Sequence, residues 1–432
     1  MTPSDPIGRS ALRKASWRLL PLIGLGYGIA YMDRVNISFA SLQMNDDLQF
    51  SAAVYGLGGG LFFLSYALLE VPSNLMLMRF GARRWIARIM FTWGVIAIGM
   101  MFVRTPMQFY VMRFLLGAAE AGFFPGVVFY LMHWFPAEQR GRAISRFYIA
   151  LPLSSAVMGA VAGALLGLRG TLGLAGWQWL FLVEGLPAVL LSFVVLKFLP
   201  DGPATAPWLT EPEREWLAQS LEADKTSHGA QPDHGVLRAL ANPLVLLLGV
   251  ANICILGSSY AFTLSAPAIL MAATQLDAMH VGYLTACVAL VSALGMVLAG
   301  WHSDRRRERY LHVVVYLLLL AAAFLTLRLG TVPWLLVTAY AVTVLAGNAN
   351  QTVFWLIPSD VLHGRSAAAG VAAIGSIGMI GSFVGPYAWG VAKDATGSFD
   401  LGLLTLSCAF FVAAAIILGL RWHSRRVLDR QI

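Results

Sequence analysis

Long apolar runs separated by short polar turns dominate the chain from residue 18 to residue 421. An α-helix rises about 1.5 Å per residue, so about 20 apolar residues cross a hydrocarbon core of roughly 30 Å. On that length the pattern predicts spans at 18–40, 52–78, 84–103, 107–132, 143–168 and 177–199, then at 243–271, 280–301, 310–328, 333–357, 366–392 and 400–421. Between the sixth and the seventh the chain turns polar. There the stretch EPEREWLAQSLEAD (211–224) reads as a short surface helix and TSHGAQPDHG (226–235) as a linker. The expected architecture is an all-α membrane protein of twelve transmembrane helices in two six-helix bundles, residues 1–199 and 243–432, joined by a cytoplasmic loop at 200–242.

Charge tests this map, because Lys and Arg accumulate in cytoplasmic loops. With both termini placed in the cytoplasm, 24 of the 30 basic residues fall in cytoplasmic segments; four lie outside (Arg104, Arg169, Arg328, Lys393) and two within spans (Arg34, Arg113). A missed or invented helix would invert every later loop and destroy this asymmetry. The basic start, Arg9, Arg13, Lys14 and Arg18, precedes an apolar run longer than a signal peptide and lacking a small-residue cleavage site, so it is expected to be retained.

Composition narrows the class. Apolar residues make up 58% and charged residues 12%, against roughly a quarter charged in soluble domains, so the bilayer is the expected solvent. The formal charge of +8 is scattered among short loops, unlike the clustered basic face of a nucleic-acid binder. Cys254, Cys287 and Cys408 all lie in apolar segments and are odd in number, so neither a disulfide nor a metal site is expected, and no cofactor is implied.

Charges inside a membrane cost at least roughly 2.5 to 3.5 kcal/mol each and usually face a bundle interior or cavity. The candidates are Asp33, Arg34, Glu70, Arg113, Glu120 and Glu184, all in the first half. Asp33 and Arg34 should sit roughly 20 Å above the start of span one. Arg113 enters from the other side to nearly that depth, and Glu120, seven residues on, shares its helix face. A cluster of these four between spans one and four is expected, either as a static ion-pair network or as a site that moves charge. Glu70, near the cytoplasmic end of span two, is a gate candidate with loop arginines, or structural. The second half offers Asn252, Ser258, Ser259 and Tyr260 in span seven and Asn348, Asn350 and Gln351 in span ten. These either bind substrate or hold helices together by interhelical hydrogen bonds. Tyr66 and Trp355 either bound a cavity or simply pack.

The turn after span eight, GWHSDRRRER, is similar to the G-x-x-x-D-R-x-G motif of the major facilitator superfamily through Gly300, Asp304 and Arg305; the first half has Asn74 and Met78 in place of the Gly and Asp. The segments YMDRVNISFA, YALLEVPSNL, RFLLGAAEAGFFPGVVFYLMHWFP, GWQWLFLVEGLPAVLL, FLPDGPATAPWLTEPEREWL and FWLIPSDVL resemble the anion:cation symporter branch, the tartrate, phthalate, hydroxyphenylacetate and sugar-acid carriers. The resemblance covers most of the chain. It implies a secondary active transporter that imports a small organic anion with protons, a monomer in the cytoplasmic membrane with both termini inside. It also implies coupling roles for the matching acids Asp33 and Glu120, a gating role for Asp304 and Arg305, and a peripheral position for the helix carrying Glu184, where a hydrogen-bonded structural role is expected. In coupling, Arg113 is expected to hold one of the two acids ionised until substrate enters.

Arg34 is the candidate for the substrate carboxylate, since guanidinium presents a planar fork to it, with Tyr66, Asn252, Asn350, Gln351 and Trp355 completing the site. Span eleven reads AAIGSIGM, so Gly375 and Met379 stand where relatives resemble Asn. Two lost amides favour a less hydroxylated or aromatic acid over a sugar acid. An enzyme is disfavoured, because the eight histidines fall in loops or near span ends and no zinc spacing or Gly-x-Ser-x-Gly elbow occurs. A sensor would need a sizeable soluble output domain. The nearest rival is a drug or metabolite exporter by proton antiport, whose acidic sites without positive partners suit cations; Arg34 and Arg113 suit anions.

Overall fold

The computed structural model describes residues 5–227, 242–306, 308–329, 332–358 and 365–429. Among these, all regular structure is helical: α1 (Pro6–Leu48), α2 (Ala52–Phe80), α3 (Ala82–Gly99), α4 (Pro106–Glu120), α5 (Phe123–Met132), α6 (Ala137–Tyr148), α7 (Ala150–Leu166), α8 (Gly176–Phe198) and α9 (Glu211–Ser227), followed by α10 (Pro243–Thr274), α11 (Ala278–Arg306), α12 (Tyr310–Leu329), α13 (Pro333–Phe354), α14 (Arg365–Thr396) and α15 (Asp400–Asp429). Each of the twelve expected spans is met by one helix or by a pair in series. The helices outrun the apolar pattern. α1 begins at Pro6, where Asp5 accepts a hydrogen bond from the Ile7 amide at 3.0 Å, and ends at Gln49 in a left-handed cap. The apolar pattern marks only what lipid requires, whereas backbone hydrogen bonding continues into the polar ends.

Among the described residues, ten segments are long and apolar enough to cross a membrane. The two expected spans outside that set are α1 and α13. They carry Asp33, Arg34 and Asn36, and Asn348, Asn350 and Gln351, and these polar groups lower their apolar character.

One large buried cluster draws on residues between Ala11 and Leu217, another on residues between Val245 and Leu420. The surface helix expected from the sequence is α9, and it docks on the start of α1. Trp216 and Leu217 are buried there, and Glu213 accepts from Ser10 Oγ and from Lys14 Nζ, each at 2.8 Å. Of the linker expected at 226–235, residues 226 and 227 continue α9, and 228–235 lie outside the described residues.

The halves meet at the end remote from Pro6. α2 lies against α14 with no room for side chains: a Cβ on Gly56, Gly60 or Gly390 would strike the backbone at Pro386, Phe383 or Ala52. α7 meets α11 in the same way through Gly159, Gly163 and Gly282. Two polar contacts reinforce this closure. The Tyr55 hydroxyl reaches the carbonyls of Ile37 at 3.1 Å and Leu264 at 2.9 Å, and the Asp394 carboxylate accepts from the amides of Ala52 at 2.9 Å and Ala53 at 2.8 Å. A cavity of about 580 Å³ opens beside them, lined in part by Asp46, Ser51, Tyr55, Trp389 and Lys393.

Candidate substrate and proton site

The buried charges are brought together by α1 and α4. A capping box sets the start of α4, with Thr105 accepting from the Gln108 amide at 3.3 Å and Gln108 accepting from the Thr105 amide at 3.3 Å. From there Phe109, Arg113, Leu116 and Glu120 recur on one buried face. The span then breaks. Ala121 is extended (φ −54°, ψ 132°) and Gly122 is left-handed (φ 85°), and a side chain at Gly122 would also meet Ser73. The backbone thus unwinds directly after Glu120, an irregularity tolerated at membrane depth only inside protein or beside a cavity.

Arg34 donates to Glu120 Oε1 from both Nε (2.8 Å) and Nη2 (2.5 Å). The carboxylate side chain is 1% exposed but the guanidinium side chain is 18% exposed, so the pair is open on the arginine side alone. The guanidinium carbon lies over the ring of Tyr66 at 4.9 Å and that of Phe62 at 5.7 Å. Arg113 is fully enclosed: its Nε reaches the Gly58 carbonyl at 3.4 Å, it lies over Phe62 at 4.8 Å, and its Nη1 has no hydrogen-bond partner. Among the described residues, Arg113 thus faces Asp33 and Glu120 at a distance rather than in a direct ion pair, and Arg34 makes the ion pair with Glu120. Asp33 is buried and accepts only a 3.5 Å hydrogen bond from Asn36 Nδ2.

The opposite half contributes Tyr260, whose ring meets Phe63 at 4.1 Å between centroids and whose hydroxyl neighbours Arg34. Met379 also packs against the first-half cluster, so the residue standing where relatives resemble Asn presents an apolar chain there. Tyr31, three residues before Arg34 on α1, joins this aromatic lining. Sequence reading did not single out Tyr31 or Asn36, although their spacing from Arg34 and Asp33 along one helix was the available signal.

Other expected site residues lie elsewhere. Asn252 is fully buried and donates to the Ile374 carbonyl at 3.2 Å, and Asn348 bonds Ser292 at 2.5 Å, so both tie helices together. Asn350 is buried with neither amide atom partnered; Gln351 and Trp355 are half-buried, and the Trp355 ring lies beside Gly375. Glu70 is half-buried and forms no ion pair among the described residues. Arg305 is exposed, lying over Trp301 at 5.3 Å, while the Asp304 side chain is outside the described residues. Glu184, expected to be hydrogen-bonded, is buried with both carboxyl oxygens unpartnered. None of the expected site residues lines the 580 Å³ cavity at the closed end. Its charged lining, Asp46, Lys393 and Asp394, is separate from the buried charges of α1 and α4.

Helices that span a membrane, meeting across a seam and enclosing a buried ion pair, define a polytopic membrane transporter. Residues 23–386 match the family described as the Major Facilitator Superfamily, and the chain belongs to that superfamily. It is 43% identical over 418 residues, 97% of this chain and 93% of the other, to a protein of Agrobacterium vitis named for tartrate transport. It is 38% identical to a quinolone resistance transporter of Acinetobacter baumannii, over 92% of each chain. In fold it is similar to a bacterial homologue of the human lysosomal transporter Spinster solved inward-facing and unoccupied, with a TM-score of 0.75 at 18% identity over 96% of this chain and 97% of that one.

Proposed function

We propose that the protein couples uptake of a small organic anion to protons by alternating access, with Arg34 binding the substrate carboxylate and Asp33 and Glu120 carrying the coupling proton. The observation that carries this reading is the Arg34–Glu120 pair, whose arginine alone is partly open. An incoming carboxylate competes with Glu120 for the guanidinium, and a buried carboxylate stripped of its cation is driven to bind a proton. Substrate and proton thus load together. Tyr31, Tyr66 and Tyr260 around Arg34, with Met379 and Gly375 in place of amides, favour an aromatic or sparsely hydroxylated acid over a sugar acid. The relative named for tartrate transport supports an anionic substrate.

The halves, residues 1–199 and 243–432, rock about the seam, the chain works as a monomer, and both termini face the cytoplasm. Reporter fusions at the C terminus test the orientation, and a periplasmic signal there would refute it. Proteoliposome uptake of labelled aromatic, dicarboxylic and sugar acids, with and without a pH gradient, tests the coupling. Asp33→Asn and Glu120→Gln should lose uphill accumulation while retaining some exchange. Arg34→Lys, which loses the fork, should weaken every competing acid by roughly tenfold or more. Uphill transport by both acid variants would refute the proton assignment, and unchanged affinity in Arg34→Lys the carboxylate assignment. The quinolone resistance relative favours a second reading, proton-driven export, which the same vesicles distinguish by drug–proton exchange without anion uptake.

A further inference from the structure

Glu184 lies on α8, which packs against α1, α3 and α7. It is 4% exposed, and the charged group facing it is Asp33, with Asn36 beside both. The segments of α3 and α7 packed on this part of α8 bring no titratable side chain. Asp33 in turn is faced by Glu120, Arg113 and Arg34.

Two shortages meet at this spot. The first is of hydrogen-bond donors at Glu184: its Oε1 and Oε2, with Asp33 Oδ2 and Asn36 Oδ1, are all buried acceptors without a partner, the Asn36 amide group lies beside them, and the unpartnered Arg113 Nη1 belongs to the Asp33 side. A carboxylate only accepts, whereas a carboxylic acid also donates. The second is of positive charge, since three buried carboxyls, Asp33, Glu120 and Glu184, share two guanidiniums, Arg34 and Arg113. An uncompensated charge in an apolar interior is strongly disfavoured. One proton on Glu184 answers both shortages.

We propose that Glu184 is a further proton-binding site, a neutral acid whose O–H is directed to the Asn36–Asp33 group and holds it in place. The inference rests on the coupling role of Asp33 given above and adds a third carboxyl to it, as a positioning residue.

Infrared spectroscopy of the purified protein in lipid nanodiscs reads it directly, because a protonated carboxyl has a carbonyl stretch separate from that of a carboxylate. At neutral pH the wild type should show such a band, shifted down in D₂O. Glu184→Gln, nearly isosteric and neutral, should abolish it, and Asp33→Asn, which removes a competing charge and supplies an amide donor, should weaken it. Asn36→Ala should move the band up by weakening its hydrogen bond. Absence of the band from the wild type overturns the proposal without any variant. A band that survives in Glu184→Gln, or one unmoved in Asn36→Ala, also overturns it. A wild-type band that Glu184→Gln abolishes, together with uphill transport by Asp33→Asn and Glu120→Gln, would refute the coupling assignment alone.

Discussion

Asp394→Asn should open the end at which the halves close. Asp394 sits on α14 and caps α2 across the seam, accepting from the amides of Ala52 and Ala53 at 2.9 and 2.8 Å. Those amides belong to the first turn of a helix and have no partner within it. An asparagine keeps one oxygen for one of them and turns its amide hydrogens towards the other. The change removes one charge-assisted bond, about 1.5 to 3 kcal/mol, and the attraction of an anion for a helix N terminus, about 0.3 to 1 kcal/mol. Asp394 is exposed, and the same groups regain water when the seam parts, so the net loss is discounted to about 1 to 2 kcal/mol. That corresponds to roughly a 5- to 30-fold shift of the closed–open equilibrium. Spin labels at Leu172 and Leu401, which are 84% and 43% exposed at this end on opposite halves, report the population by pulsed dipolar distances. A longer-distance component should grow in the variant. An unchanged distribution would show that the α2–α14 glycine packing alone holds the closure.

Gly122→Ala should destabilise the protein by roughly 1 to 2 kcal/mol, because its φ of 85° is costly for a side chain, and the new methyl group would press on Ser73. Thermal unfolding in detergent checks this; an unaltered midpoint would mean that the break after Glu120 relaxes freely. At the docked helix α9, burial pushes the Glu213 carboxyl up, but hydrogen bonds from Lys14, Thr210 and Ser10 more than offset it and bring it down to about 2. A carboxyl held below its unfolded value stabilises docking fully above that value, roughly 4.3. This contribution is lost as pH falls from there towards about 2. Hydrogen exchange in residues 211–227 should rise over that window, and Lys14→Met should raise it already at neutral pH.

Several features of the site were readable because they depend on one helix at a time. Arg113 and Glu120 share a face through spacing alone, and a charge that survives within an apolar run must turn from lipid, so the meeting of α1 with α4 follows. Which arginine pairs with Glu120 does not follow. Arg34 and Arg113 carry equal charge at similar depth, and only the rotation and offset of two helices give Arg34 the contact and leave Arg113 against the Gly58 carbonyl. Likewise Asn252 reads as a site residue from its polarity, yet the packing of α10 on α14 turns it to the Ile374 carbonyl.

By itself, then, the sequence determined what lipid and the helix repeat dictate: where spans lie, how basic loops alternate, that α9 forms on the surface, and which charges face inward. These are local consequences of hydrophobicity and a 3.6-residue period. Tertiary structure alone decided the Asp394 clasp on α2, the reach of Tyr260 to Arg34, and the company of Glu184 with Asn36 and Asp33. In each case the partners are distant in the chain, and no periodicity encodes the few ångströms that separate a hydrogen bond from a missed contact.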